Sequence, residues 1–218
     1  MKPAFWHDKW EQAQIGFHNN DPHPLLVTHF SALQLKEGAR VFLPLCGKTR
    51  DIAWLLARGY EVVGAELSEI AVQQLFAELD VEPSVDRRHA WARYSALHID
   101  VFVGDIFDVQ PDSVRHIDAV YDRAALVALP ETMRPDYVAH VAALTDHAPQ
   151  LLISVEYDQS EMKGPPFSIT DDEIERCYAD HFEYSQLASV NVVGGLKGRC
   201  DADENVWLLR APQLAHRK

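Results

Sequence analysis

Two apolar runs with one short amphipathic stretch between them constrain this chain more than any other feature. The first, "VFLPLCGKT" from Val41 to Thr49, stops at a Pro, a Cys and a Gly, and "RDIAWLLARG" follows. The second, "EVVGAELS" from Glu61 to Ser68, ends on an acid, Glu66. Runs apolar nearly throughout read as strands covered on both faces, which is the habit of parallel sheets. A helical length between two such strands implies a right-handed crossover. The first strand is expected over Arg40–Leu45, the helix over about Arg50–Arg58 with Gly59 as its C′ residue, and the second strand over Glu61–Glu66.

The alternation continues. Ser68 caps "EIAVQQLFAEL", where Ile70, Ala71, Leu75, Phe76 and Leu79 recur at helical spacing. "LHIDVFVGD", "HIDAVYDR" (ending near Tyr121) and "QLLISVEYD" read as the third, fourth and fifth strands. "ETMRPDYVAHVAALTDH" is a helix with Pro135 in its first turn, where a missing N–H costs nothing. A loop, "QSEMKGPPFSIT", leads to a helix capped by Thr170 with Asp171, Asp172 and Glu173 in its first turn. "FEYSQLASVNVV" and "ENVWLLRA" have no helix between them, so they pair antiparallel. "SVDRRHAWARYSA" is expected as a polar loop or irregular helix. At the start, "WHDKWEQAQIGFH" puts Trp6 and Trp10 on one helical face before "NNDPHPLL" breaks the helix. The sum is an α/β, doubly wound, mostly parallel sheet with an antiparallel edge. One domain is expected over 1–218, with an N-terminal segment 1–35, a core 36–211 and a tail 212–218.

Composition narrows the partners. A net charge of −13 and a pI near 5.2 leave no basic field for nucleic acid or anionic lipid. Cys46, Cys177 and Cys200 form no C-x-x-C pair, so neither a disulfide framework nor a zinc ribbon is expected. His18 and His23 flank "NNDP" without further ligands at metal spacing, and no metal is expected. "MKPAFWHDKWEQ" has no apolar signal region and no run reaches membrane-spanning length, so a cytoplasmic protein is the expectation; a small-molecule partner and a monomer are expected with it.

Open α/β sheets bind ligands beyond the carboxyl ends of their strands, where strand order reverses. The turn after the first strand and Glu66 at the tip of the second therefore share a crevice. Glu66 follows Cys46 by 20 residues (66 − 46), the spacing at which an acid accepts from both hydroxyls of a ribose. Three nucleotide readings stand side by side. A P-loop would use the "GKT" of Gly47–Thr49, but Phe42 stands where its first Gly belongs. A dinucleotide fingerprint needs three glycines where "LPLCGK" offers one. A nucleoside cofactor without phosphates, such as S-adenosylmethionine, needs no such close backbone approach and fits better.

Taken together, "FWHDKWEQAQIGFH", "FLPLCGKTRDIAWLLARGYEVVGAELSEIAVQQLF", "GDIFD" and "YDRAALVALPETMRPDY" resemble the bacterial thiopurine S-methyltransferase family, from Trp6 to about Leu209. The resemblance implies a class I methyltransferase fold, with a seven-stranded sheet whose last strand is antiparallel. It also implies S-adenosylmethionine as cofactor, S-adenosylhomocysteine as product, and an aromatic or heterocyclic thiol as acceptor. It assigns Trp10, Leu45, Glu66 and Arg123 to the cofactor, with Asp105 and Ile106 along the adenine. Phe17 would line the acceptor pocket, and the C-terminal "GGLKGRCDADE" offers Lys197 or Arg199 as a basic group toward the acceptor. Arg123 would also hold the acceptor and favour its anionic form.

Each residue has a plainer reading. Trp10 can pack with Trp6, although an indole face also tolerates a sulfonium. Arg123 can pair with Asp118 or Asp122. Cys46, without a His partner in sequence, reads as a small turn residue, and Asp21 reads equally as an acceptor contact or as a loop breaker. Selenium or tellurium compounds as physiological acceptors, a non-catalytic cofactor sensor and a nicotinamide dehydrogenase are the alternatives.

Overall fold

The computed structural model describes residues 3–15, 19–87 and 90–212. A helix α1 (Pro3–Glu11) and a second, α2 (Pro24–His29), precede the sheet. Then come β1 (Arg40–Leu43), α3 (Arg50–Leu56), β2 (Glu61–Glu66) and α4 (Glu69–Glu78). Strands β3 (Ser84–Asp86), β4 (Ala92–Ala96) and β5 (Ile99–Val103) follow. After them lie α5 (Pro111–Val114), β6 (Ala119–Arg123), α6 (Arg134–Leu144), β7 (Gln150–Tyr157), α7 (Asp171–Tyr178), β8 (Glu183–Asn191) and β9 (Ala202–Arg210).

The strands form one sheet in the order β3-β4-β5-β2-β1-β6-β7-β9-β8. Strands β5, β2, β1, β6 and β7 run parallel, and β9 is antiparallel to both β7 and β8. The chain winds outward from β1 through β2 to β5, then returns past β1 to start β6. The reversal therefore falls between β1 and β6, which fixes where the crevice opens.

Alternation along the strands builds two cores. Phe42, Val63, Phe102, Val120 and Leu152 face α6 and α7, where Tyr137, Val138, Ile174 and Tyr178 meet them. Val41, Leu43, Val62, Val101, Tyr121 and Leu151 face the other way, against Leu26 of α2, Ile52 and Leu55 of α3, and Val72 and Phe76 of α4. Each fully buried large side chain contributes about 1.5–3 kcal/mol relative to exposure. Caps sit where the sequence places them: Ser68 Oγ accepts from Ala71 N–H at 3.4 Å and Thr170 Oγ1 from Glu173 N–H at 3.3 Å.

Two expectations are corrected. The first strand ends at Leu43, not Leu45, because Pro44 has no N–H for the ladder and Leu45 turns to φ 46°. Within "SVDRRHAWARYSA", Ser84–Asp86 and Ala92–Ala96 are antiparallel strands, so the sheet of the described residues has nine strands rather than seven. Tyr94 is buried there, while Arg93 forms a bidentate pair with Asp100 on β5, at 3.1 and 2.7 Å. At the opposite edge, the register of β8 against β9 shifts between Gln186 and Ala188, a bulge in the outermost strand.

Candidate active site

The turn after β1 is shaped by backbone conformation before any side chain acts. Leu45 at φ 46° and Gly47 at φ 54° both occupy the left-handed region, which reverses the chain within a few residues. Cys46 N–H donates to Ala65 O at 3.0 Å, fastening the turn to β2. Gly64 leaves the room: a Cβ there would lie 2.8 Å from Cys46 Sγ. The turn therefore rests directly against the end of the neighbouring strand.

That contact delivers Glu66. Its side chain is buried, with Oε2 accepting from Gly47 N–H at 2.7 Å and Oε1 from Ser68 N–H at 2.8 Å. Burial pushes the Glu66 pKa up, and the N–H donors of Ser68 and Gly47 oppose that rise. Both oxygens are fixed, and each retains a lone pair for a ligand hydroxyl. Trp10, buried on α1, lies against the other side of the turn, its Cζ2 3.2 Å from where a Gly47 Cβ would be. Gly47 is thus required by its φ and by the indole. Burial, then the Glu66 charge, raises the Cys46 thiol well above its ordinary value, so it is no thiolate nucleophile.

Asp105 and Ile106 arrive from β5. Gly104 N–H donates to Glu66 O at 2.9 Å, holding the two strand tips together. Asp105 is exposed and caps a short 3₁₀ turn by accepting from Phe107 N–H at 3.1 Å. Ile106 is buried, and its carbonyl is 2.8 Å from His140 Nε2. Trp10, Leu45, Glu66, Asp105 and Ile106 therefore surround the tips of β1, β2 and β5.

Arg123 ends β6 across the reversal point, half-buried. The nearby acids are committed elsewhere. Asp118 accepts from Arg40 N–H at 2.8 Å, and Asp122 accepts from Tyr137 OH at 2.6 Å and Leu126 N–H at 3.2 Å. Burial lifts the Asp122 pKa to about 6, against those donors. The Arg123 charge is felt instead by Tyr121 and by Glu204 on β9.

Lys197 and Arg199 lie in the loop between β8 and β9. Lys197 Nζ donates to Pro165 O at 2.9 Å, and burial followed by the charges of Arg199 and Lys9 lowers its pKa. That places the C-terminal loop beside α1 as well as the loop after β7. Arg199 is exposed. Phe17 and His18 lie outside the described residues. Among the described residues no group of three or more His, Cys, Asp or Glu is gathered as for a metal ion. The sequence weighed His23 only as a metal ligand. In the structure it is buried and its Nε2 lies 3.2 Å from Glu204 Oε1, a contact between residues 181 apart that no spacing rule signals.

Sheet order, reversal point and crevice define a class I S-adenosylmethionine-dependent methyltransferase fold. The fold is similar to that of Burkholderia thailandensis 1,6-didemethyltoxoflavin-N1-methyltransferase, at TM-score 0.67 and 14% identity over 96% of this chain and 87% of that one. It is also similar to magnesium protoporphyrin IX methyltransferase from Synechocystis, at TM-score 0.65 and 13% identity over 96% and 99%. Within that class the sequence is decisive: the chain belongs to the family described as Thiopurine S-methyltransferase (TPMT), which it matches over residues 1–210. A thiopurine S-methyltransferase from Xanthobacter autotrophicus is 54% identical over 96% of this chain and 99% of its own. The chain is accordingly an S-adenosylmethionine-dependent methyltransferase.

Proposed function

We propose that this enzyme transfers a methyl group to the sulfur of aromatic and heterocyclic thiols, such as 6-mercaptopurine, by direct in-line displacement. The observation that carries the reading is Glu66, a buried carboxylate pinned by two backbone N–H groups at the β2 tip. Opposite it, across the reversal point, stands Arg123, whose neighbouring acids are already occupied. When bound, S-adenosylmethionine would supply an electrophilic methyl on a sulfonium, with the neutral thioether S-adenosylhomocysteine as the leaving group.

The chain's part is positioning and electrostatics. Glu66 takes the ribose hydroxyls on its remaining lone pairs, Leu45 offers backbone, and Asp105 and Ile106 flank the adenine. The Trp10 face accommodates the positive sulfonium. Arg123 holds the cofactor and the acceptor and favours the thiolate form of the acceptor, so no strong base is needed. Lys197 and Arg199 add positive charge at the acceptor side, and Phe17 lines it. The segment 1–35 acts as a lid on a single core, 36–211, with 212–218 as a tail. The same reading makes the protein a cytoplasmic monomer without nucleic-acid or membrane partners. Among the described residues no helix is long and apolar enough to cross a membrane.

Calorimetric titration with S-adenosylhomocysteine, repeated on Glu66→Ala, tests the cofactor half. Micromolar binding that weakens tenfold or more, about 1.4 kcal/mol or more, supports it, and absent binding to the wild type sinks it. Turnover on 6-mercaptopurine, selenite and tellurite tests the acceptor half. Faster turnover on selenium or tellurium would make those compounds the physiological acceptors. No turnover on any acceptor, with cofactor binding intact, would favour a sensor.

A further inference from the structure

His23 stands where the N-terminal segment enters the core, and each of its polar groups is used. Its backbone N–H donates to Asp51 Oδ1 at 2.7 Å, and the other oxygen of Asp51 accepts from Tyr121 OH at 3.0 Å. Its Nδ1 accepts from Leu25 N–H at 3.3 Å, capping α2. That acceptor role leaves the ring proton on Nε2, which donates to Glu204 Oε1 at 3.2 Å. A cap alone asks for a short acceptor such as Asn or Ser. The far side of the ring is surplus to that role, and it reaches across the chain to β9.

Each end of this contact adjoins a stretch that the proposed function sets toward the acceptor. In sequence, His23 follows the stretch that holds Phe17. Glu204 lies near the start of β9, which begins at Ala202 just after the loop that holds Lys197 and Arg199. That loop is tight at its base, with Val192 N–H donating to Ala202 O and Leu196 N–H to Cys200 O, both at 2.8 Å. A shift of Glu204 would therefore carry the loop with it. Tyr121, reached through Asp51, shares a face of β6 with Arg123. Burial alone would raise the Glu204 pKa, but the hydrogen bond from His23 and the Arg123 charge outweigh it and hold the carboxyl below its ordinary value. It is therefore anionic at neutral pH.

We propose that His23, acting through Glu204, is a positioning residue for methyl transfer. It registers the N-terminal segment against the C-terminal loop so that both meet the acceptor beside Arg123. The inference rests on the thiol-acceptor reading given above. Two substitutions separate positioning from capping. His23→Asn keeps an acceptor where Nδ1 was but falls short of Glu204. His23→Gln returns a donor to about the place of Nε2. Steady-state kinetics with 6-mercaptopurine and S-adenosylmethionine, S-adenosylhomocysteine calorimetry and thermal melts are measured on all three proteins.

The expected result is a KM for 6-mercaptopurine raised about tenfold in His23→Asn, with S-adenosylhomocysteine affinity within about twofold of wild type, and recovery to within about threefold in His23→Gln. An unchanged KM in His23→Asn, or equal impairment of both variants, overturns the proposal. So does a parallel loss of cofactor affinity and melting temperature, which marks a purely structural residue. Wild-type turnover with an unaffected His23→Asn overturns this role alone. A wild type that binds cofactor but methylates no thiol overturns the acceptor reading beneath it.

Discussion

The two walls of the crevice are built differently. The wall we assign to the cofactor, at the tips of β1, β2 and β5, is joined through backbone N–H groups: Cys46 to Ala65, Gly47 and Ser68 to Glu66, and Gly104 to Glu66. The wall we assign to the acceptor, on the Arg123 side, is joined through side chains: His23 to Glu204, Tyr121 to Asp51 and Lys197 to Pro165. A wall of backbone bonds is rigid and nearly independent of side-chain identity, apart from its glycines and one acid. A wall of long side chains sets specificity and is easier to change without unfolding the protein.

The sharpest test of that contrast is Arg123→Ala. It should lower kcat/KM for a thiol about 100-fold or more, as loss of a charge-stabilising donor does. Arg123→Lys should recover little, because a point charge does not replace a planar fork. Recovery above about one third of wild type would show that the wall needs charge alone.

Next in size is Asp122, beneath the same wall. Its folded pKa of about 6 exceeds the ordinary Asp value of 3.8, so the folded protein binds more protons between those values. Its contribution to stability is present at acid pH and is lost as pH rises through about 6. The stability of Asp122→Asn relative to wild type should therefore grow by about 2–3 kcal/mol between pH 4 and pH 7. Urea melts at both values check this, and a constant difference would refute it.

The cofactor wall should break through packing. Gly64→Ala should cost about 1–3 kcal/mol, because its Cβ meets Cys46 Sγ. Cys46→Ala should return much of that loss in the double variant, a coupling of about 1 kcal/mol or more by double-mutant cycle. Simple additivity would mean that the turn does not rest on β2 as described. The smallest effect is expected of Lys197→Met, about threefold in acceptor KM, since one partly exposed cation contributes about 0.5–1 kcal/mol. A larger loss would make the C-terminal loop an equal of Arg123.

What the sequence discloses follows the same division. The parallel strands, the caps at Ser68 and Thr170, the turn at Cys46–Gly47 and the place of Glu66 all rest on periods and spacings within a few tens of residues, and they are legible. The end of β1 is legible only in part: Pro44 marks it, but no rule puts a Leu at φ 46°, and the Cys46 N–H bond to Ala65 that fixes the turn reaches across to β2. Strands β3 and β4 are hidden because Arg93 reads as loop until Asp100 is seen beside it. The His23–Glu204 contact is invisible for a simpler reason: nothing local in either residue points to the other.

The bulge at Gln186–Ala188 bears on how this protein behaves in a crowded solution. Among the described residues the nine-strand sheet ends in two border strands, and one has three residues, too short to recruit another chain. The other, β8, runs for nine residues and would be an open template if it were flat. The slip in register bends it and interrupts its row of free N–H and C=O groups. A second copy would have to follow that kink to add a strand, so the irregular border shields the enzyme from strand-to-strand aggregation.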